Sequence, residues 1–368
     1  MSERKKILVA PLNWGLGHAT RCIPIIKGLT DQGAEVIIAA DGRPYDLLKR
    51  EFPTHTFVRF PGFLATYPPD DRIVSTIIRQ IPKLVRSFFR EHRELKKIIH
   101  SLKIDAVISD NRFGLFTKKI PCIYISHQIS IMMPKGLQWA SYIVYHLNKG
   151  LIERYSECWI PDYADENNLS GKLSHRYSPP KNARYIGPLT RFKQKSNVQK
   201  EYDILALLSG PEPQRTILEN ILLEELKKVR CKSLVVRGIP EKTQRIKLSE
   251  SISVISSLDS EGLNNAILAS DIVISRPGYS TLMDLDALGK NAILIPTPGQ
   301  TEQVYLAARL KDTGTFCVSD QENFSLSNAL DEAHRYRGYP PRESHTSSLG
   351  VSIERLLRQI KSIPEDSE

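Results

Sequence analysis

The sequence predicts an α/β protein built from two doubly wound parallel-sheet domains that face each other across a cleft. Three observations carry that prediction. Short apolar runs alternate with helical stretches from residue 7 to residue 160, and the same alternation restarts at residue 204 and continues to residue 318. Between the two trains lies a polar stretch with a Gly-Pro pair, Tyr185-Ile186-Gly187-Pro188-Leu189-Thr190-Arg191-Phe192, which has the composition of a linker. The length of 368 residues also fits two domains at about 150 residues each.

Taken in order, Ile7-Leu8-Val9-Ala10-Pro11 is a continuous apolar run and reads as a buried strand. A glycine-bearing loop follows, then a helix over about 18–31 and a second strand over 34–41. Strand, loop, helix and strand make a βαβ unit with parallel strands. Further strands are expected at 56–60, 105–109, 122–126 and 157–160. Beyond the linker, strands are expected at 204–208, 233–236, 254–256, 271–275, 292–296 and 315–318. Helices fall between them at 214–228, 263–270, 281–288 and 303–311. After the break Gly338-Tyr339-Pro340-Pro341, a last amphipathic helix is expected over about 347–361. The expected division is therefore 1–188, a linker 189–202, a second domain 203–340, and a helix with tail over 341–368. No short-period repeat is present.

Composition narrows the function. Hydrophobic residues are 41% and charged residues 25%, a balance that supports folded cores and argues against a disordered chain. No apolar run reaches the ~18–20 residues of a membrane-spanning helix. The start, Met1-Ser2-Glu3-Arg4-Lys5-Lys6, leads into a strand and does not read as a signal peptide. The five cysteines are scattered without a CxxC, so neither a disulfide framework nor a zinc site is expected, and a reducing cytoplasm is the expected compartment. The net charge of +10 favours an anionic partner. No aromatic–basic motif points to nucleic acid.

Three segments carry chemistry. The first is Asn13-Trp14-Gly15-Leu16-Gly17-His18-Ala19-Thr20-Arg21, between the first strand and the first helix. Gly15 and Gly17 permit a tight turn and close approach by a ligand, and the following helix start offers N–H groups to an anion. Thr20 stands where a dinucleotide fingerprint wants its third glycine. His18, in the first helical turn, is the candidate base; its alternatives are a diphosphate contact and a capping or packing histidine.

The second segment runs Arg276-Pro277-Gly278-Tyr279-Ser280-Thr281-Leu282-Met283-Asp284-Leu285-Asp286. A strand ends at Ser275, Gly278 turns the chain, and Ser280 and Thr281 open a helix, so that backbone N–H groups and hydroxyls can cradle a diphosphate. Asp284 lies one turn further in, where a carboxylate accepts from ribose hydroxyls. Asp284 and Asp286 resemble a DxD metal pair, but residues i and i+2 of a helix project roughly 200° apart, so no metal site is expected. The third segment, Pro296-Thr297-Pro298-Gly299-Gln300-Thr301-Glu302-Gln303, joins a strand to a helix. Its amide and carboxylate side chains suit sugar hydroxyls, or else the first-turn dipole.

The GLGHATR loop together with SRPGYSTLMDLDALGKNAILIPTPGQTEQ resembles the GT-B glycosyltransferases of family 28, with the resemblance covering roughly 202–320 and the first loop. The resemblance implies two Rossmann-like domains, a nucleotide-sugar donor (usually UDP-linked) on the second, an acceptor on the first, and no divalent metal or other cofactor. It implies inversion at the anomeric carbon. It also implies that Ser209 and Gly210 lie on the phosphate side, that backbone near Leu258 meets the base, and that Gly278, Ser280 and Thr281 hold the diphosphate. Asp284 stands at the ribose position, where glutamate is usual, and Gln303 at a donor-sugar position. With Gly15, Gly17 and Arg276 these residues form the expected donor set. The first loop departs from the family's GGxGGH-like form, and Pro211-Glu212-Pro213 replaces expected glycine.

In the stretch 72–103, Ile73, Ile77, Ile81, Leu84, Phe88, Leu95, Ile98 and Leu102 recur at helical spacing. Arg79, Lys83, Arg86, Arg90, Arg93 and Lys97 fall on another face. This basic amphipathic helix either packs on the first sheet with a solvated face or meets an anionic membrane surface or lipid-linked phosphate. The run 128–146, with Met132, Met133, Trp139, Tyr142 and Tyr145, lines an acceptor groove or belongs to the core. Asp110 and His127 follow strand ends and are acceptor-side candidates. The expected activity is metal-independent transfer of a hexose or N-acetylhexosamine from a UDP-sugar to an acceptor hydroxyl, a lipid-linked acceptor being one candidate. A cytoplasmic enzyme at the inner face of the cell membrane fits that activity. A nucleotide-sugar hydrolase, an epimerase and a non-catalytic nucleotide-sugar sensor are the alternatives.

Overall fold

Strands form where the sequence is most continuously apolar. In β1 (Lys6–Pro11), residues Ile7 to Ala10 are fully buried, and successive side chains serve opposite faces. Ile7 and Val9 enter one core cluster, with Cys22, Ile23 and Ile26. Leu8 and Ala10 enter another, with Leu95, Tyr145 and Ile152. The computed structural model describes residues 4–62, 73–133, 136–239, 244–340, 342 and 346–361.

The amino-terminal half continues through α1 (Leu16–Asp31), β2 (Glu35–Ala40), α2 (Gly42–Glu51) and β3 (Thr56–Arg59). Next come α3 (Ile73–Leu102), β4 (Ala106–Asp110), β5 (Cys122–Ile125), a 3-10 turn (Gln138–Ala140) and α4 (Ser141–Ile152). β6 (Glu157–Ile160), α5 (Lys172–His175) and β7 (Ala183–Tyr185) complete it. Its sheet is ordered β3-β2-β1-β4-β5-β6-β7 with parallel pairing throughout. The side chains of Ile73, Ile77, Arg79 and Ile81, residue 72, residue 341 and the tail beyond 361 lie outside the described residues.

The second half runs β8 (Tyr202–Leu207), α6 (Gln214–Leu226), β9 (Ser233–Val236), β10 (Arg245–Lys247), β11 (Ile252–Ile255), α7 (Ser260–Leu268) and β12 (Ser270–Ser275). It continues with α8 (Tyr279–Leu288), β13 (Ala292–Leu294), α9 (Thr301–Asp312), β14 (Cys317–Val318) and α10 (Leu326–Ala333). The order is β10-β11-β9-β8-β12-β13-β14, and only β10 runs antiparallel to its neighbour. Each sheet reverses its winding once, between β1 and β4 and between β8 and β12. Pro11 pairs with Asp110 at the first reversal and Leu207 with Ser275 at the second. Loops leaving such a reversal point form the ligand crevice of an open α/β sheet. Here the two crevices face each other.

The last helix, α11 (Thr346–Lys361), returns to the amino-terminal half. Ser348 Oγ donates to Ile186 O at 2.5 Å, and Arg355 pairs with Glu157 at 3.0 Å. Gly28 leaves room on α1 for Ile353. Absent from the sequence reading are α2, α4, α5, α10, β7 and β10. The last is exposed at all three positions, so no apolar alternation marks it. α2 opens Gly42-Arg43-Pro44, a turn-like signal, yet proline is tolerated in a first helical turn because its missing N–H has no partner there.

Candidate active site in the interdomain cleft

A cleft of about 1290 Å³ separates the two halves and is lined from both. That exceeds the roughly 300–1,000 Å³ of a single small-molecule pocket, so it has room for two substrates. On its amino-terminal wall, Gly15 precedes α1 with φ +93°, a conformation that glycine adopts without a Cβ penalty. The helix then begins two residues before His18 and sets the imidazole at the cleft edge, with its side chain 14% exposed. Behind it, Asp110 at the end of β4 is fully buried and its Oδ1 lies 3.0 Å from His18 Nδ1. Arg21 Nε donates to Asp110 Oδ2 at 2.6 Å, and Arg21 Nη2 donates to Oδ1.

Charge states follow from this packing. Burial alone would raise Asp110, but the Arg21 guanidinium and His18 hold it well below the usual carboxylate range. Burial and then the Arg21 charge lower His18 from its ordinary 6.5, against the pull of Asp110. A neutral imidazole at neutral pH results, with Asp110 placed to accept from Nδ1–H and Nε2 left to take a proton.

The carboxyl-terminal wall presents the start of α8. Its N-cap, Gly278, has no side chain with which to satisfy the first-turn N–H groups. Gly278, Tyr279, Ser280 and Thr281 all line the cleft, together with Ser209, Gly210, Leu258, Asp284 and Gln303. Asp284 Oδ1 accepts from Thr190 Oγ1 at 2.6 Å. Gln303 Oε1 accepts from Thr297 N at 2.9 Å, so its NH2 is the group left to donate. The walls touch: Ser280 Oγ donates to Gly17 O at 3.0 Å, and a Cβ on Gly17 would lie 2.7 Å from that hydroxyl. Gly15 and Gly17 thus stand in the cleft, Gly17 through an interdomain contact.

The geometry corrects three expectations. Arg276 is 1% exposed and faces away from the cleft, where it donates to Ile295 O and Pro296 O at 3.0 Å each and to Gln214 O at 3.1 Å. It ties the segment after β13 to the start of α6. Asp110 is sealed behind His18 and cannot meet an acceptor. His127 has both ring nitrogens engaged, Nδ1 with Arg21 Nη1 at 3.1 Å and Nε2 with Glu302 Oε1 at 2.8 Å. Its ring also stacks on Tyr279 at 4.0 Å, which leaves no nitrogen for base duty.

One site residue, Arg21, has no role assigned from the sequence, and another, Glu302, takes a partner the sequence does not indicate. Arg21 follows His18 by three positions, a spacing that puts both on one helix face and is the signal that could have found it. Glu302 reaches across the cleft to His127 and also accepts from Gln128 Nε2. Burial would raise Glu302, but His127, Arg21 and His18 together hold it below its ordinary value. Asp284 and Asp286 face different neighbours, Thr190 for the former, Tyr163 and Arg342 for the latter. No cluster of three or more candidate metal ligands occurs among the described residues.

Two doubly wound sheets facing each other across a cleft make the GT-B fold. Residues 215–354 match the glycosyltransferase family 28 C-terminal domain. Over 334 residues the chain is 27% identical to an uncharacterized glycosyltransferase of Methanosarcina acetivorans, covering 84% of this chain and 82% of that one. A similar protein of Methanosarcina mazei is 23% identical over 330 residues, with 84% and 85% covered. In fold the chain is similar to the glycosyltransferase SnogD from Streptomyces nogalater, at 16% identity and TM-score 0.55, covering 98% of this chain and 96% of that one. It is also similar to Arabidopsis thaliana UGT89C1 complexed with UDP-L-rhamnose, at 14% identity and TM-score 0.57, again covering 98% and 96%. The protein is a glycosyltransferase, and its residues 215–354 are similar to the family 28 C-terminal domain.

Proposed function

We propose that the protein transfers a hexose or N-acetylhexosamine from a UDP-sugar to an acceptor hydroxyl, with inversion and without a metal ion. The observation that carries this reading is the pairing of His18 on one wall with the unsatisfied start of α8 on the other. In the step proposed, His18 Nε2 takes the acceptor hydroxyl proton as that oxygen bonds to the anomeric carbon. The bond from that carbon to the diphosphate breaks, and its electron pair leaves with the diphosphate. First-turn N–H groups of α8 and the Thr281 hydroxyl stabilise the departing charge. Asp284 accepts from the ribose, backbone at Leu258 meets the base, and the Gln303 NH2 donates to the sugar. Asp110 fixes the His18 tautomer, as the aspartate does in a Ser-His-Asp triad.

The uracil assignment draws support from the UDP-sugar complex of one fold neighbour. The acceptor assignment draws on the amino-terminal arm of the cleft, which is lined by Leu84, Phe88, Phe89, Ile131, Met133 and Leu151. That apolar lining suits the hydrocarbon part of a lipid-linked acceptor. Among the described residues no helix is long and apolar enough to cross a membrane. A peripheral position at the inner face of the cell membrane, with the cytoplasm on the donor side, is consistent with the exposed basic residues of α3.

Calorimetric titration with UDP and UDP-sugars tests the donor side. Binding that survives EDTA is expected, and binding abolished by EDTA and restored by a divalent ion would contradict the metal-free reading. Product analysis then separates the activities. Slow UDP release from a UDP-sugar alone, accelerated by an acceptor, is the result expected of a transferase. Fast release without acceptor would make the protein a hydrolase.

A further inference from the structure

Arg21 is the one charged residue of the first-loop motif that the transfer step leaves without a role. Its side chain is 2% exposed, and a buried guanidinium is tolerated only where partners compensate its lost hydration. The compensation is specific. Two of its nitrogens fork onto both oxygens of Asp110, Nη2 also lies 2.9 Å from His18 Nδ1, and Nη1 reaches His127.

A carboxylate beside an imidazole does two separable things. It decides which ring nitrogen carries the proton, and it attracts the imidazolium and so favours the charged ring. A general base needs the first and only a measure of the second, because a ring already protonated at the working pH cannot accept. We propose, on the reading of His18 as the base, that Arg21 is a positioning residue that separates these effects. Its fork neutralises and fixes Asp110, so that Asp110 orients His18 Nδ1–H without holding the ring in its charged form.

The surrounding groups are consistent with this. Those acting on the imidazole are Arg21 on α1, Asp110 on β4, His127 after β5 and Glu302 on α9, and Cys22 on α1 faces Asp110. Cys22 Sγ lies 3.6 Å from Asp110 Oδ2 and stays a neutral thiol, because burial pushes it well above its ordinary value. Burial and Arg21 lower His18, Asp110 raises it, and His127 lowers it further. Arg21 Nη2, 2.9 Å from Nδ1, sets a permanent positive charge against the ring, which resists a second positive charge there.

The test is an NMR titration of the full-length, ligand-free protein with isotope-labelled histidine. Among the nine histidines, the His18 signal is the one lost in His18→Gln. The wild-type ring should be the Nδ1–H tautomer at neutral pH, with a midpoint below 6.5. In Arg21→Gln the midpoint should rise by about one pH unit, since Asp110 is then unneutralised. In Arg21→Lys, which keeps the charge and loses the fork, it should rise less. An unmoved midpoint in Arg21→Gln overturns the proposal, and so does an Nε2–H tautomer in the wild type, even where neither variant folds. No turnover is read, so failure here is distinct from failure of the base assignment, which the kinetics of His18 variants decide.

Discussion

Burial raises the Asp284 carboxyl from its ordinary 3.8 to about 6, against the pull of Arg191. A group raised in the folded state contributes stability that is fully present below its unfolded value and is lost as pH rises through about 6. Above that pH the ionised carboxylate costs the fold stability. Asp284→Asn should therefore stabilise the free protein by about 1–2 kcal/mol at pH near 8, and the gain should vanish near pH 4. Chemical denaturation at the two pH values measures this. The same variant should bind UDP more weakly by about 1–3 kcal/mol, through loss of charge-assisted hydrogen bonds. Asp286 behaves differently. It is 3% exposed, accepts from Tyr163 Oη at 2.6 Å and pairs with Arg342 at 3.2 Å. Helical spacing shows correctly that it turns away from Asp284, but not that it turns into the other half of the molecule. Asp286→Ala should lower the melting temperature, with an order of 3 kcal/mol lost, because partners are left unpaired in the core. An unchanged melting temperature would refute the tie.

At the scale of elements, most of both sheets is legible because buried parallel strands are continuously apolar and their connecting helices are amphipathic. The parts that escape notice either lack an apolar face, as in β10, or open on turn-like residues, as in α2. The basic surface of α3 is legible in the same way. What the run 128–146 does was left open between groove and core, and the structure divides it. Tyr145 is buried, whereas Trp139 and Tyr142 are 73% and 58% exposed. These apolar side chains, with Phe89 of α3 exposed beside the apolar arm of the cleft, accompany exposed Lys83, Arg86 and Arg90. Binding to anionic vesicles should fall as salt rises, because attraction between a charged surface and exposed side chains is screened. Replacing Lys83, Arg86 and Arg90 by glutamine should abolish that binding and leave UDP affinity unchanged. Absence of vesicle binding at low salt would return α3 to a purely structural role.

On the scale of the whole molecule, the cleft walls are held together by contacts that no single domain contains. His127 meets Glu302, Ser280 meets Gly17, and Arg309 Nη2 donates to Asn168 O at 2.8 Å. Pairings across a cleft depend on how two sheets are docked, and no local pattern in the chain encodes them, which is why the glycine loops are legible in the sequence and the link from Glu302 to His127 is not. Under the proposed function, closure of these walls on the substrates would exclude water from the donor. The central claim is that His18 accepts the acceptor proton in that closed cleft. Steady-state turnover of His18→Ala and His18→Gln, measured beside UDP titrations of the same proteins, tests it most directly. Turnover should fall by about 10²–10⁴-fold in both variants, with UDP affinity little changed, because glutamine cannot serve as a base near neutrality. Weakened UDP binding with substantial rescue by glutamine would contradict the claim and make His18 a diphosphate contact, and near-wild-type turnover in both variants would remove it from the mechanism.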